Sequence, residues 1–307
     1  MKTRFQMAPE LQGALLIACA AMLWGTTGVV ARILFAHSSL HPMGLALLRL
    51  VIACPCFLLL SYWRGEHRLP LRHQGHKRWL LLLGLTQGGY QMAYLGAVKL
   101  AGAGVATLIA LCLAPVVVAI LAVPLLKERL TRSTVIALVA AIAGTAMLAM
   151  ERGMHPMDGW LLGLGVATLA AVIYASFTLT SRHTAGVFAP FQAAFICFLV
   201  GALMVFPIAY STGNLDGMST LGLRDWLMVL YIGLIPTCLS YVCFFQGMRT
   251  TTATLSSIIV TLEPLFAAIL AWVVLGETMT AIGILGALIL TGAVIVAVLP
   301  RRSGHQT

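Results

Sequence analysis

Apolar residues run through this chain in blocks of about twenty, each ended by a short polar turn. A helix needs about that many to cross the hydrocarbon core of a bilayer. The blocks predict helices over approximately 11–35, 43–63, 78–98, 103–126 and 131–150, then 159–181, 189–211, 224–248, 251–275 and 279–299. Ala101-Gly102-Ala103-Gly104 and Thr250-Thr251-Thr252 are connections too short to fold alone, and only Arg64 to Lys77 and Thr212 to Leu223 are longer. The expectation is an all-α integral membrane protein with ten transmembrane helices in one membrane domain. Residues 1–150 and 151–307 form its two five-helix halves.

The halves repeat one another. Leu113-Ala114-Pro115 and Lys127-Glu128-Arg129-Leu130-Thr131 return as Leu262-Glu263-Pro264 and Gly276-Glu277-Thr278-Met279-Thr280, with proline and glutamate both displaced by 149. Lys99 and Arg249 follow at 150, and Pro42 and Pro190 at 148. Five spans per half is an odd number, so the halves run in opposite directions through the membrane. Inverted repeats of this kind are the sequence signature of a secondary transporter working by alternating access.

Composition agrees with a bilayer setting. The chain is 60% hydrophobic and 9% charged, with mean hydropathy +0.98, whereas soluble domains carry about 25% charged residues. The net charge of +10 sits in short loops, which fits the positive-inside rule and not nucleic acid, since no basic face or stacking platform accompanies it. With the N-terminus in the cytoplasm, fourteen Lys and Arg face that side and four (Arg32, Lys99, Arg152 and Arg224) face the other, with Arg49 left inside a span. Both termini are therefore expected in the cytoplasm, in a bacterial-type inner membrane. The first apolar run is longer than a signal-peptide core and reads as a retained span. All seven cysteines fall in apolar segments, where Cys54-Pro-Cys56 reads as helix filler, and no cofactor or metal is expected. Trp63, Trp79, Trp160 and Trp226 fall near span ends, as an aromatic belt does, while Trp24 and Trp272 lie deeper.

Leu23-Trp24-Gly25, the small-residue turn after Tyr94-Leu95-Gly96-Ala97, the breaks at Ala114-Pro115 and Glu263-Pro264, and the paired Lys127-Glu128 and Gly276-Glu277 turns together resemble the EamA type of the drug/metabolite transporter superfamily. The resemblance covers roughly Leu11 to Leu299. It implies ten helices, alternating access, and a central cavity lined mainly by spans 1, 3, 4, 6, 8 and 9. It also implies export of diverse metabolites, amino acids among them.

Glu263 is the one acid placed well inside a span. A carboxylate there is costly unless paired, protonated or wetted, so it is expected on an aqueous path as a substrate-amine ligand or protonation site. The first half has Ala114 at the matching position, so no symmetric acid pair exists. Arg49 is the in-span base. It is expected either to hold a substrate carboxylate or, the preferred reading, to snorkel or pair with helix-end carbonyls. Arg32 and Lys99 read as interfacial anchors, and Glu128 and Glu277 as residues that cap turns and latch neighbouring helices. Tyr90 and Tyr94 share a helical face, with Gln87 a turn before them, and Tyr241 with Phe244 and Phe245 occupies the corresponding stretch of the other half. Trp24 and Tyr174 stand 150 apart. The expected cavity residues are thus Trp24, Gln87, Tyr90, Tyr94, Tyr174, Tyr241 and Glu263, with Arg49 as charge partner. Glycine pairs Gly84/Gly88, Gly163/Gly165 and Gly283/Gly286 are expected to bring helices close.

These features point to a secondary transporter exporting a small polar metabolite, amino acids first. The alternative is a proton-coupled exporter of drugs or cations that uses Glu263. No clustered acids or histidines support an enzyme, and the partners expected are the solute and the bilayer, for a monomer or homodimer.

Overall fold

The computed structural model describes residues 8–66, 74–150 and 160–299, which form ten helices and no strand. They are α1 (Pro9–His37), α2 (Pro42–Trp63), α3 (Gln74–Ala101), α4 (Ala103–Leu126), α5 (Arg132–Met150), α6 (Trp160–Thr184), α7 (Pro190–Ser211), α8 (Leu223–Gly247), α9 (Ala253–Leu275) and α10 (Ala281–Val298). Each lies within a few residues of an expected span. Among the described residues, nine are long and apolar enough to cross a membrane. The exception is α3, which spends four positions on Gln87, Tyr90, Gln91 and Tyr94. Lys2, Arg4, Arg68, Arg72, Arg152, Arg301 and Arg302 of the charge count lie outside the described residues, as do Glu151, Asp158, His67, His73, His155 and His305.

Proline sets several boundaries. Pro42 and Pro190 occupy the first turns of α2 and α7, where the missing N–H has no intrahelical acceptor to lose. Glu66 completes the start of α7 by accepting from the backbone N–H of Phe191 at 3.0 Å and of Gln192 at 3.2 Å. In α9, the helical pieces Ala253–Val260 and Glu263–Leu275 are separated by a turn at Thr261 and Leu262, immediately before Glu263-Pro264. The matching break expected at Ala114-Pro115 is absent: α4 runs on through Pro115 and Pro124. Pro115 still deprives the Leu111 carbonyl of its helical donor. In α8 the segment Leu234–Leu239 is a π-helical turn around Pro236. The Ile232 carbonyl, which Pro236 cannot reach with an N–H, is taken by the Thr237 hydroxyl at 2.7 Å.

The helices pack as α3 with α6 and α7, α5 with α10, α4 with α6, α2 with α7, and α1 with α8 and α9. Small residues make the closest seams. A Cβ on Gly84 would strike Val200, one on Gly88 would meet Gly201, and one on Gly163 would strike Ala101. Gly286 meets Gly144 and Met147, across the α5–α10 seam. Gly165 has open space around it, so the expected Gly163/Gly165 pair reduces to Gly163. The outside of the bundle is apolar, with Leu161, Leu162, Val273 and Leu288 all exposed, as a lipid-facing surface requires. Trp272, whose depth needed an explanation, is exposed on this surface.

Candidate solute-binding cavity

A cavity of about 240 Å³ lies among α1, α2, α3, α4, α6, α8 and α9. Its wall includes Trp24, Arg49, Tyr90, Tyr94, Tyr174, Tyr241 and Glu263, seven of the eight residues expected from the sequence. The helices implied by resemblance are all present, and α2 joins them through Arg49.

Gln87 is the exception. It is 2% exposed, absent from the cavity wall, and donates from Nε2 to the Tyr241 hydroxyl at 3.1 Å. Because α3 seats on α7 through Gly84 and Gly88, the turn carrying Gln87 is drawn into the helix interface. Gln91, one turn further on, reaches the wall instead.

Breaks in the helices position the charged pair. Glu263 opens the second piece of α9, where the chain restarts as a helix. Arg49 donates from Nε to Thr237 Oγ1 at 3.1 Å. Thr237 is free to accept there because its own proton goes to Ile232 in the π-turn. Arg49 therefore rests on a side-chain hydroxyl at the cavity, not on the helix-end carbonyls that were preferred for it. π-Turns of this sort frequently mark functional positions.

Aromatic rings form a continuous path beside the cavity. Tyr94 stacks on Tyr90 at 5.7 Å, Tyr90 meets Tyr174 at 5.0 Å, and Tyr174 stacks on Phe177 at 6.3 Å. Trp24 meets Tyr241 edge-on at 5.0 Å, and Tyr241 meets Phe198 at 4.8 Å. The Tyr94 hydroxyl and Thr107 Oγ1 share a hydrogen bond of 2.8 Å, tying α3 to α4. Beyond Tyr174 and Tyr241, towards the ends of α6 and α8 at Thr184 and Gly247, Phe177, Phe244, Phe245 and Met248 fill the interior. Wall residues Gly25, Thr27 and Gly28 on α1, Tyr90, Gln91 and Tyr94 on α3, and Thr107 and Leu111 on α4 come from the opposite halves of their helices. That opposite end carries Arg32, Lys99, Gly102 and Glu277.

The wall also holds Gly25 and Pro264 of the Trp24-Gly25 and Glu263-Pro264 motifs, and residues the sequence reading passed over: Thr27, Gly28, Thr107, Leu111 and Ala267. Helical spacing was the available signal for two of them, since Thr27 and Gly28 stand three and four residues after Trp24. Trp24 Nε1 and Thr27 Oγ1 are buried and have no hydrogen-bond partner among the described residues. Arg32, expected as an anchor, is ion-paired with Glu277.

The EamA-like transporter family pattern matches residues 11–150 and again 161–299. The chain is 31% identical over 294 residues to the uncharacterized transporter YwfM of Bacillus subtilis (strain 168), a match that covers 94% of this chain and 95% of that one. It is 23% identical to the uncharacterized inner membrane transporter YicL of Salmonella typhimurium, over 96% of this chain and 98% of that one. A shorter match, 25% identical over 60% of each chain, is to a probable terminal-alkyne amino-acid exporter of Streptantibioticus cattleyicolor. A solved crystal structure shares the fold with a TM-score of 0.79 at 23% identity, covering 93% of this chain and 96% of that one. The chain belongs to the EamA-like transporter family. It is a multi-pass membrane transporter of a small molecule and not an enzyme.

Proposed function

We propose that this transporter exports a small zwitterionic metabolite, an amino acid or a close chemical relative, by alternating access. The observation that carries the reading is that Arg49 and Glu263 line one cavity together with Trp24 and four tyrosines. Arg49 suits a carboxylate, Glu263 suits an ammonium group, and the rings supply apolar contact for a side chain. A basic residue on the wall disfavours the alternative, export of hydrophobic cations coupled to protons through Glu263. The amino-acid assignment is also in keeping with the name of the Streptantibioticus relative.

Two inverted five-helix halves, 1–150 and 151–307, supply the mechanism. The repeat offset near 149 and the family match to each half support that architecture. The excess of Lys and Arg on one side supports cytoplasmic termini, and the inner membrane is the location given for the Salmonella relative.

The test is exchange in proteoliposomes of a labelled amino acid against unlabelled amino acid, its carboxamide or its N-acetyl derivative. The zwitterion should exchange saturably, and both derivatives, each lacking one charge, should compete poorly. Equal competition by the carboxamide would remove Arg49 from substrate recognition and restore the cation reading.

A further inference from the structure

The two repeated glutamates sit on turns of the same backbone geometry and yet have different partners. Lys127 and Gly276 end α4 and α9 in the left-handed region, at φ 56°, ψ 32° and φ 69°, ψ 16°. In both turns the next amide reaches back six residues, Glu128 N–H to the Ala122 carbonyl at 3.2 Å and Glu277 N–H to the Ala271 carbonyl at 3.4 Å. Every residue of one set is related to the other by the offset of 149.

Glu128 is engaged. Its carboxylate accepts from the backbone N–H of Ala253 at 2.6 Å and of Thr254 at 3.1 Å, and from the Thr254 hydroxyl at 2.7 Å. These are first-turn donors of α9, which have no partner within their own helix, and the carboxylate also meets the positive end of the helix dipole. The repeat makes the start of α4, around Ala103 and Gly104, the counterpart target for Glu277. That start has Gly102 before it and no side-chain cap. Glu277 is instead half exposed and paired with Arg32 on α1. The side of engagement matches the cavity. Glu128 closes the end behind the Phe177, Phe244 and Phe245 cluster, whereas Glu277 stands at the end from which the cavity wall is built.

We propose that Glu128 and Glu277 are alternating latches, each gripping the first turn of the matching helix in the opposite repeat, α9 for Glu128 and α4 for Glu277, when its own end of the transporter is closed. In the conformation described here, Glu128 is bound to α9 and Glu277 is released to Arg32. In the opposite conformation Glu277 caps the start of α4, and Glu128 lets go of α9. Arg32 then serves as the resting partner that holds Glu277 away from α4. This proposal rests on the alternating-access reading above.

Hydrogen–deuterium exchange of the full-length protein in lipid nanodiscs tests it, followed at the first turns of α4 and α9 in wild type, Glu128→Ala and Glu277→Ala. Loss of Glu128 should speed exchange at Ala253–Thr254 by roughly tenfold or more, given three charge-assisted bonds, and slow it at Ala103–Val105. Loss of Glu277 should do the reverse. Glu128→Gln should fall between wild type and Glu128→Ala. Changes confined to the first turn of α9 in one variant and absent at α4 in both would overturn the latch and leave Glu128 a local cap. Wild-type amino-acid exchange is measured on the same preparation. If it is present while the opposed shifts are missing, the latch fails alone; if it is absent, the alternating-access reading fails with it.

Discussion

Gly25 and Gly28 stand three residues apart on α1, both on the cavity wall, and the same substitution at each should have opposite consequences. A Cβ on Gly25 would lie 2.9 Å from the Ala267 amide nitrogen, 2.9 Å from Phe266 Cβ and 3.0 Å from the Glu263 carbonyl oxygen. Two of these are backbone atoms of α9, so relief requires α1 and α9 to separate. Overpacking of this sort costs about 1–3 kcal/mol, offset by a helix-propensity gain of up to about 1 kcal/mol for Gly→Ala. Gly25→Ala should therefore lose about 1–2 kcal/mol. A Cβ on Gly28 meets nothing within 4 Å, so Gly28→Ala should keep the propensity gain and stabilise by up to about 1 kcal/mol. The assay is equilibrium unfolding in mixed micelles followed by circular dichroism. Gly28→Phe then adds a functional arm: its ring grows into the cavity of about 240 Å³ and should abolish solute exchange while unfolding stays near that of wild type. Equal destabilisation by the two alanines would refute the packing of α1 on α9, and wild-type exchange by Gly28→Phe would refute the cavity as the solute's route.

Other predictions bear on single contacts. Tyr241→Phe leaves the buried Gln87 amide without its partner and should cost about 1 kcal/mol in the same unfolding assay. Lys127 is the one non-glycine with positive φ among the described residues; Lys127→Gly should stabilise by about 1 kcal/mol, because left-handed backbone is strained for residues with a Cβ. Arg49→Ala should weaken competition by the zwitterion far more than competition by its carboxamide, measured by exchange in vesicles. Glu263→Gln should reduce amino-acid exchange at least tenfold, taking loss of one charge-assisted contact as about 1.5 kcal/mol or more, while an expression and thermal-unfolding check stays near wild type.

Much of the helix order was legible because a bilayer-length apolar block is a strong local signal, and α1 through α10 fall where the blocks do. Glu263 was legible for a related reason: an acid in such a block has few tolerable surroundings. What escaped depended on contacts between distant segments. Gln87 and Gln91 are one turn apart on α3, and only the seating of Gly84 and Gly88 against α7 decides which of them reaches the cavity. Thr237 as the support of Arg49, 188 residues away, requires the π-turn at Pro236, which propensity does not announce. The unequal behaviour of Pro115 and Pro264 was hidden as well, since identical Pro placement left α4 continuous and broke α9 beside a carboxylate. Glu66 lies in the longer connection from Arg64 to Lys77, yet its carboxylate starts a helix that follows 124 residues later, at Pro190.

The most direct test of the central claim is solute release. Purified transporter is reconstituted into vesicles loaded with a crude metabolite extract, the vesicles are diluted, and mass spectrometry identifies what leaves faster than from protein-free vesicles. Selective, saturable loss of a few amino acids or related zwitterions, accelerated by the same solute outside, is the predicted result. Folded protein that releases only hydrophobic cations, or nothing above the protein-free vesicles even with a proton gradient imposed, would contradict it.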